Sequence, residues 1–180
     1  RRTTGHDYGH LHRAFSLFIF HPDNQNMMLI QRRSHAKHTF PMKWSNAVCS
    51  HPNHPQGTEG DVIEGVKRAA VRRAKHELGV DINMEQLTVV GRILYKAIAN
   101  DIYAEWELDY LVFCRHNPLS STSFNPTEVH KVQWIDMNSP LDVEDPTPWF
   151  QRLCQSGILH RLWTQYKAQS VVYDMAIMHL

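Results

Sequence analysis

A chain of 180 residues is long enough for one domain with a substantial hydrophobic core. Its 19 Lys and Arg residues nearly balance its 18 Asp and Glu residues, which argues against a nucleic-acid-binding or anionic-membrane-binding protein. The longest apolar runs, such as residues 14–20, are far shorter than the roughly 20 residues that span a bilayer.

The cysteine and histidine content indicates the redox compartment and a possible metal-binding function. Three widely spaced cysteines indicate a reducing compartment rather than a disulfide framework. We therefore expect a cytoplasmic protein, with a peroxisomal or organellar location left open. Thirteen histidines make metal binding worth testing.

In chain order, the sequence predicts strands, a helix, more strands and a second helix. A polar, histidine-rich loop over residues 1–12 comes first. The predicted strands cover residues 13–20, 27–31, 44–51, 87–97, 105–115 and 129–135, and the predicted helices cover residues 61–78 and 148–166. This order predicts one domain over residues 1–180 of the α/β (α+β) class, in which a mixed sheet packs between helices. Residues 150–180 are expected to form a C-terminal helical region.

The stretch of residues 44–52 contains the first chemical signal. If it is extended, Cys49 and His51 share one face and Val48 the other, because successive strand residues alternate. A thiol beside an imidazole suits nucleophilic, acid–base or metal chemistry. A buried cysteine beside a surface histidine is the simpler explanation for this pair alone.

Residues 105–110 (EWELDY) provide the second signal. Their alternation places Glu105, Glu107 and Asp109 on one face of a strand, where three carboxylates repel one another unless a cation is bound. A solvent-exposed strand face is the commoner meaning of such a pattern. Together with His12 and His51, and with His6 as a further candidate, these acids form a mixed nitrogen and oxygen ligand set, however.

The helix over residues 61–78 provides the third signal, because its end is similar to the Nudix hydrolase segment. Glu64, seven further residues and then residues 72–80 (RRAKHELGV) follow the spacing of that motif. Arg73 and His76 stand where the motif has carboxylates, and Glu77 remains. Diphosphate hydrolysis needs clustered metal ions, so this helix suits a diphosphate-binding protein that no longer cleaves diphosphate.

Several further motifs occur in the right order for one family. They are residues 11–16 (LHRAFS), 46–52 (NAVCSHP), 72–79, 95–97 (YKA), 105–107 (EWE) and 147–149 (TPW). Together they closely resemble type I isopentenyl-diphosphate isomerase, from about residue 2 to residue 149. The resemblance implies a Nudix fold and conversion of isopentenyl diphosphate to dimethylallyl diphosphate in isoprenoid biosynthesis. It implies a small diphosphate as substrate and leaves the oligomeric state open.

The resemblance also implies a role for individual residues. Catalysis would use Cys49 and Glu107 on opposite faces of the substrate, with Tyr95 beside Glu107; which of Cys49 and Glu107 is the acid stays open. A divalent ion (Zn2+, Mn2+ or Mg2+) would be held by His6, His12, His51, Glu105 and Glu107, with His10 as the alternative to His6. Glu77 would hold a Mg2+ ion on the diphosphate. The predicted substrate-binding residues are Arg2, Arg33, Lys37, Arg73, Trp44 and Trp149.

Two other functions compete with the isomerase. One is a Nudix pyrophosphohydrolase acting on a nucleoside diphosphate derivative. The loss of carboxylates from the helix argues against it. The other is a non-catalytic module that binds a metal or a diphosphate. The presence of Cys49, Tyr95 and Glu107 together argues against it.

Overall fold

The computed structural model describes residues 10–52, 59–101, 103–117, 124–139, 143–170 and 176–180, and for residues 59–61 it describes only the backbone. In chain order the strands are β1 (His12–Phe20), β2 (Met27–Arg33), β3 (Trp44–Asn46), β4 (Val48–Ser50), β5 (Thr88–Ile98), β6 (Ala104–Arg115), β7 (Val129–Asp136) and β8 (Ile177–His179). The α-helices are α1 (Glu59–Leu78), α2 (Pro148–Gln155) and α3 (Ile158–Lys167), and a 3-10 turn covers Met84–Gln86. Within the described ranges, no helix combines the length and the apolar character needed to cross a membrane.

The eight strands form one mixed sheet. Its main path runs β3-β2-β1-β6-β5-β8, while β4 pairs with β1 and β7 pairs with β2. The β1–β6 and β5–β8 pairs are parallel and the other pairs are antiparallel. The predicted α/β class with a mixed sheet is therefore confirmed.

Helices cover both faces of this sheet, which explains the continuous apolar run in β1. Phe15 and Leu17 pack into the core on the α1 side, together with Ala70 of that helix. Phe18 packs into the opposite core, with side chains of α2 and α3 such as Leu159. A strand buried on both faces has no solvent side, so it needs apolar residues at consecutive positions.

Helix α1 follows the predicted period and ends where expected. Val66, Ala70 and Ala74 are fully buried at four-residue steps, so one stripe of the helix faces the sheet. The chain leaves the helix at Gly79, whose φ of 70° lies in the left-handed region that glycine adopts without strain.

Three segments differ from the predicted elements. The predicted strand over residues 44–51 is two short strands, because β3 pairs with β2 while β4 crosses to pair with β1. The predicted helix over residues 148–166 divides into α2 and α3 at Gly157, where a φ of 74° is incompatible with a continuous helix. The C-terminal region is helical as far as Lys167, and the last described residues form β8 instead, because they pair with the edge of β5.

Candidate active site

Strand register brings the chemical side chains together. In the parallel β1–β6 pair, His12 lies opposite Glu107. The antiparallel β5–β6 pair places Tyr95 opposite the same Glu107. The β1–β4 pair places Cys49 opposite Ser16. Residues far apart in sequence thus meet at one end of the sheet.

A cavity of about 470 Å³ opens at this point. Cys49 and Glu107 both line it, so the thiol and the carboxylate face a common space. Most of the predicted catalytic and substrate-binding residues are in its walls, which include Arg33, Lys37, Cys49, His51, Arg73, Tyr95, Glu105, Glu107, Glu128 and Trp149.

Three atoms converge as metal ligands do. The Nε2 atoms of His12 and His51 lie 3.2 and 2.9 Å from Glu107 Oε1, and 3.1 Å from each other. His12 Nδ1 donates to the carbonyl oxygen of His10 at 2.7 Å, which orients the ring so that Nε2 faces Glu107. A bound metal would replace the proton that Nε2 otherwise shares with Glu107. This group could hold a metal ion, and its nitrogen and oxygen atoms fit a borderline divalent ion.

The same contacts set the charge of Glu107. Burial opposes ionisation of this carboxyl, but hydrogen bonds from His12 and His51 outweigh it and lower its pKa to about 2. The hydrogen bond to Glu107 correspondingly raises the pKa of His12. Glu107 is therefore ionised at neutral pH, as a metal ligand must be.

Tyr95 and Glu105 flank this group. The Tyr95 hydroxyl donates to Glu107 Oε2, and lies 3.4 Å from Glu105 Oε2. Burial, with the charge of Glu107 second, raises the pKa of Tyr95 well above its ordinary value and also raises the pKa of Glu105. Glu105 lines the cavity but lies outside the group of three converging ligands.

The Cys49 thiol points at a buried amide. Cys49 Sγ donates to Asn46 Oδ1 at 3.0 Å, and Trp149 Nε1 donates to the same oxygen at 3.2 Å. Asn46 Nδ2 in turn donates to the carbonyl oxygens of Leu17 and Val48, across the break between β3 and β4. Asn46 thus links the thiol, the indole and two strands, which holds the sulfur in position.

A second contact joins the thiol to a buried acid. Ser16 Oγ lies 3.6 Å from Cys49 Sγ and donates to Asp109 Oδ2 at 2.7 Å. Burial, followed by the charge of Glu107, raises the pKa of Asp109 well above its usual range. Burial, followed by the charge of Asp109, raises the pKa of Cys49 to about 12, so the sulfur is a thiol at neutral pH.

Trp149 forms the aromatic wall. Only 2% of its surface is exposed; its ring stacks on Tyr95 at 5.8 Å between centroids and meets Phe40 edge-on at 5.3 Å. The Arg33 guanidinium lies 5.8 Å from the same ring. Trp44, which was predicted to bind substrate, is buried in the adjoining core and is not among the residues that line the cavity.

The opposite end of the cavity is basic, but its cations are paired. Arg73 Nη2 lies 2.7 Å from Glu77 Oε1 and 3.0 Å from Glu128 Oε1. Lys37 Nζ pairs with Glu128 Oε2. Glu77, the predicted Mg2+ ligand, is fully buried behind this layer, whereas Glu128 lines the cavity.

Several sequence predictions fall elsewhere, and some residues were not foreseen. Arg2 and His6 lie outside the described residues. His10 contributes its carbonyl oxygen to His12, and its side chain is not in the converging group. Sequence reasoning missed Asn46 and Glu128. Asn46 lies in the quoted motif of residues 46–52, which could have drawn attention to it, whereas Glu128 has no local pattern.

Comparisons of sequence identify the family of this chain. Residues 10–153 match the NUDIX domain family. An isopentenyl-diphosphate delta-isomerase of Schizosaccharomyces pombe is 36% identical, over 94% of this chain and 77% of that protein. The isopentenyl-diphosphate Delta-isomerase 1 of Mus musculus is 34% identical, over 96% of this chain and 79% of that protein. The isopentenyl-diphosphate delta-isomerase of Gibberella zeae is 38% identical, over 89% of this chain and 66% of that protein. The chain thus spans about two thirds to four fifths of these relatives.

Solved structures agree on the fold. A MutT protein from Methanosarcina mazei superposes with a TM-score of 0.62 at 12% identity, covering 84% of this chain and 95% of that one. A NUDIX hydrolase from Alicyclobacillus acidocaldarius has a TM-score of 0.58 at 10% identity, covering 81% and 90%. At such low identity the likeness establishes the NUDIX fold alone.

Proposed function

The chain belongs to the isopentenyl-diphosphate delta-isomerase family of NUDIX-domain proteins, and we propose that it converts isopentenyl diphosphate to dimethylallyl diphosphate through a tertiary carbocation. The observation that carries this proposal is the shared cavity between Cys49 and Glu107. Moving a double bond by protonation and deprotonation needs an acid and a base that reach the same hydrocarbon tail.

The proton donor is the Tyr95–Glu107 pair. An isolated alkene is a weak base, so it needs a strong acid, and a carboxyl is more acidic than a thiol by about four pKa units. With no substrate bound Glu107 is ionised, so it acts as the acid only after it takes up a proton from solvent, which the negative charge of the entering diphosphate favours. The Tyr95 hydroxyl, which donates to Glu107 Oε2, holds this carboxyl in place. The proton adds to the terminal methylene carbon and leaves a tertiary carbocation.

The proton acceptor is Cys49. A carbocation is such a strong acid that a weak base suffices to remove the neighbouring proton. Asn46 and Ser16 hold the sulfur at the cavity wall, and the new double bond forms as the proton leaves the carbon. Exchange with solvent then restores both groups, so each turnover introduces a solvent hydrogen into the product.

The remaining walls protect and position the substrate. The Trp149 face stabilises a cation without attacking it, as water would. Arg33, Lys37 and Arg73 line the wall toward which the diphosphate is directed. The chemistry needs a free thiol, and the three cysteines are unpaired, which supports a reducing, cytoplasmic setting.

Two ions belong to this proposal. An ion at His12, His51 and Glu107, with Glu105 nearby, would fix the carboxylate and tune its acidity. Magnesium beside Glu77 would neutralise charge on the diphosphate.

Incubation with isopentenyl diphosphate and Mg2+ in deuterated water tests the activity. We expect dimethylallyl diphosphate that carries deuterium. Release of phosphate or of a nucleotide from nucleoside diphosphate derivatives, with no isomerisation, would instead favour a hydrolase. Unchanged substrate would favour a non-catalytic binding module.

Two variants test the roles of the acid and the base. Cys49→Ala should make no dimethylallyl diphosphate but still protonate the alkene reversibly, so recovered isopentenyl diphosphate should contain deuterium. Glu107→Gln should neither isomerise nor exchange. Exchange in Glu107→Gln but not in Cys49→Ala would reverse the assignment. Near-full turnover in either variant would refute it.

A further inference from the structure

Two of the three basic side chains in this wall are neutralised by carboxylates. Arg73 and Lys37 supply two cationic groups, and Glu77 and Glu128 supply two carboxylates within ion-pair distance of them, so these four charges cancel. Arg33 donates to the carbonyl oxygens of Thr39 and Phe40 and supplies one further positive charge. A polyanion such as a diphosphate therefore gains little from Arg73 and Lys37 unless a further cation joins them.

The two carboxylates differ in access. Both oxygens of Glu77 contact protein groups, since Arg73 reaches Oε1 and Gln31 Nε2 donates to Oε2 at 3.1 Å, and the side chain is fully buried. Both oxygens of Glu128 are paired as well, Oε2 with Lys37 and Oε1 with Arg73 and with His76 Nε2 at 3.2 Å. Glu128 lines the cavity, however, and its side chain is 17% exposed. A diphosphate in the cavity would meet Glu128 before it met Glu77.

The backbone fixes Glu128 at this position. The carbonyl oxygen of Glu128 accepts a hydrogen bond from Ser34 N at 2.9 Å, and its amide donates to Asn125 O at 3.0 Å. Asn125 N in turn donates to Glu77 O at the end of α1, also at 2.9 Å. The backbone of Glu128 is thus held between α1 and the turn that carries Lys37, which places its side chain at the cavity wall.

The side-chain amide that contacts Glu77 has a buried oxygen without a hydrogen-bond partner. Within the described part of the chain, Gln31 Oε1 is buried with no hydrogen bond, although Nε2 of the same amide contacts Glu77. Buried unpaired oxygens in native proteins call for an explanation, and an ion is one of the usual ones. Carboxylate and amide oxygens are the ligands that hard divalent cations prefer.

We propose that Glu128 is a ligand of the divalent cation that accompanies the diphosphate, and that it makes diphosphate binding depend on this cation. The inference rests on the proposed function for the identity of the substrate. With the cation bound, Glu128 joins protein to metal to phosphate oxygen. With no cation, the same carboxylate repels the diphosphate and occupies Lys37 and Arg73.

Binding of inorganic pyrophosphate, measured by titration calorimetry with Mg2+ or with EDTA, tests this inference without relying on turnover. For the wild type, we expect Mg2+ to strengthen binding at least about tenfold, which corresponds to about 1.4 kcal/mol. Glu128→Gln should change pyrophosphate affinity in opposite directions under the two conditions. Binding in EDTA should become stronger, because the repulsive charge is gone, and binding in Mg2+ should become weaker.

Two further variants complete the test. Glu128→Asp keeps the charge and should keep the dependence on Mg2+, which also covers the case that Glu128→Gln folds poorly. Glu85→Gln removes an exposed carboxylate of the 3-10 turn and should bind as the wild type does. If Glu128→Gln weakens binding equally in both conditions, Glu128 merely holds Lys37 and Arg73 in place and the inference is wrong. Unchanged binding in both conditions would also overturn it.

The two proposals can fail separately. A protein that shows the opposite shifts with pyrophosphate but no isomerisation would refute the proposed function and leave the role of Glu128 intact. A protein that isomerises its substrate but shows no such shifts would refute only the role of Glu128.

Discussion

Replacing Trp149 by Phe tests whether its ring stabilises the carbocation or only fills the core. Trp149 packs between Tyr95 and Phe40 and donates its indole N–H to Asn46 Oδ1. Trp163 provides a matched control. It is equally buried, at 2% exposure, and it donates its indole N–H to the carbonyl oxygen of Gln25 at 2.9 Å, in α3 rather than at the cavity wall.

The two substitutions should cost similar stability. Each removes one neutral hydrogen bond, worth about 1 kcal/mol, and leaves a space where the larger ring was. Asn46 Oδ1 still accepts hydrogen bonds from Cys49 and Ser45 after the loss of Trp149, so no acceptor is orphaned. We expect a loss of about 1–3 kcal/mol for Trp149→Phe and for Trp163→Phe.

Their effects on catalysis should differ. Tryptophan binds cations more strongly than phenylalanine, and a difference of about 1.4 kcal/mol in a desolvated site corresponds to about a tenfold change in rate. We expect kcat of Trp149→Phe to fall about tenfold with little change in KM, and kcat of Trp163→Phe to stay near the wild-type value. Urea denaturation measures the loss of stability, and steady-state kinetics measures kcat and KM.

Equal kcat values for the two variants, at similar stability, would refute the cation-stabilising role of Trp149. An increase in KM without a change in kcat would also contradict it, because that result assigns the ring to ground-state binding.

Three further predictions follow from the site. His12→Ala removes one of the converging ligands and should lower the metal content of the purified protein at least about tenfold, measured by mass spectrometry after dialysis, whereas the exposed His130→Ala should not. Ser16→Ala leaves Asp109 without its 2.7 Å donor and should reduce the free energy of unfolding by about 1–3 kcal/mol. Burial opposes ionisation of Glu128, but its pairing with Lys37 outweighs burial and lowers its pKa from 4.5 to about 2. This pairing therefore stabilises the protein above pH 4.5, and the contribution is lost as the pH falls toward 2. This shift corresponds to about 3.4 kcal/mol without screening, and solvent screening of the partly exposed pair reduces it to about 2 kcal/mol. The stability difference between the wild type and Glu128→Gln should therefore be about 2 kcal/mol at neutral pH and should shrink across that window in metal-free buffer.

Each of these predictions has a result that would contradict it. Full metal content in His12→Ala would mean that the metal does not bind at the group formed by His12, His51 and Glu107. For Ser16→Ala, a stability equal to that of the exposed control Ser139→Ala would show that Asp109 needs no donor. A stability difference for Glu128→Gln that stays constant from pH 7 to pH 2 would mean that the ion pair does not set the pKa of Glu128.

The sequence by itself determined the local elements and the shared faces. The four-residue spacing of Val66, Ala70 and Ala74 predicted α1, because the helical period is a property of the backbone. The same reasoning placed Glu105, Glu107 and Asp109 on one strand face. Those acids are not a solvent-exposed face, however, since Glu107 and Asp109 are 5% and 1% exposed.

Only the tertiary structure decided which faces meet. The register that sets His12 opposite Glu107, the division of residues 44–51 between two partners and the placement of Glu128 beside Lys37 depend on contacts between distant segments. A strand's own sequence specifies its period and its buried face, whereas its neighbour is selected by packing of the whole core. That is why the ligands could be named from the chain, while the charge balance at the diphosphate end required coordinates.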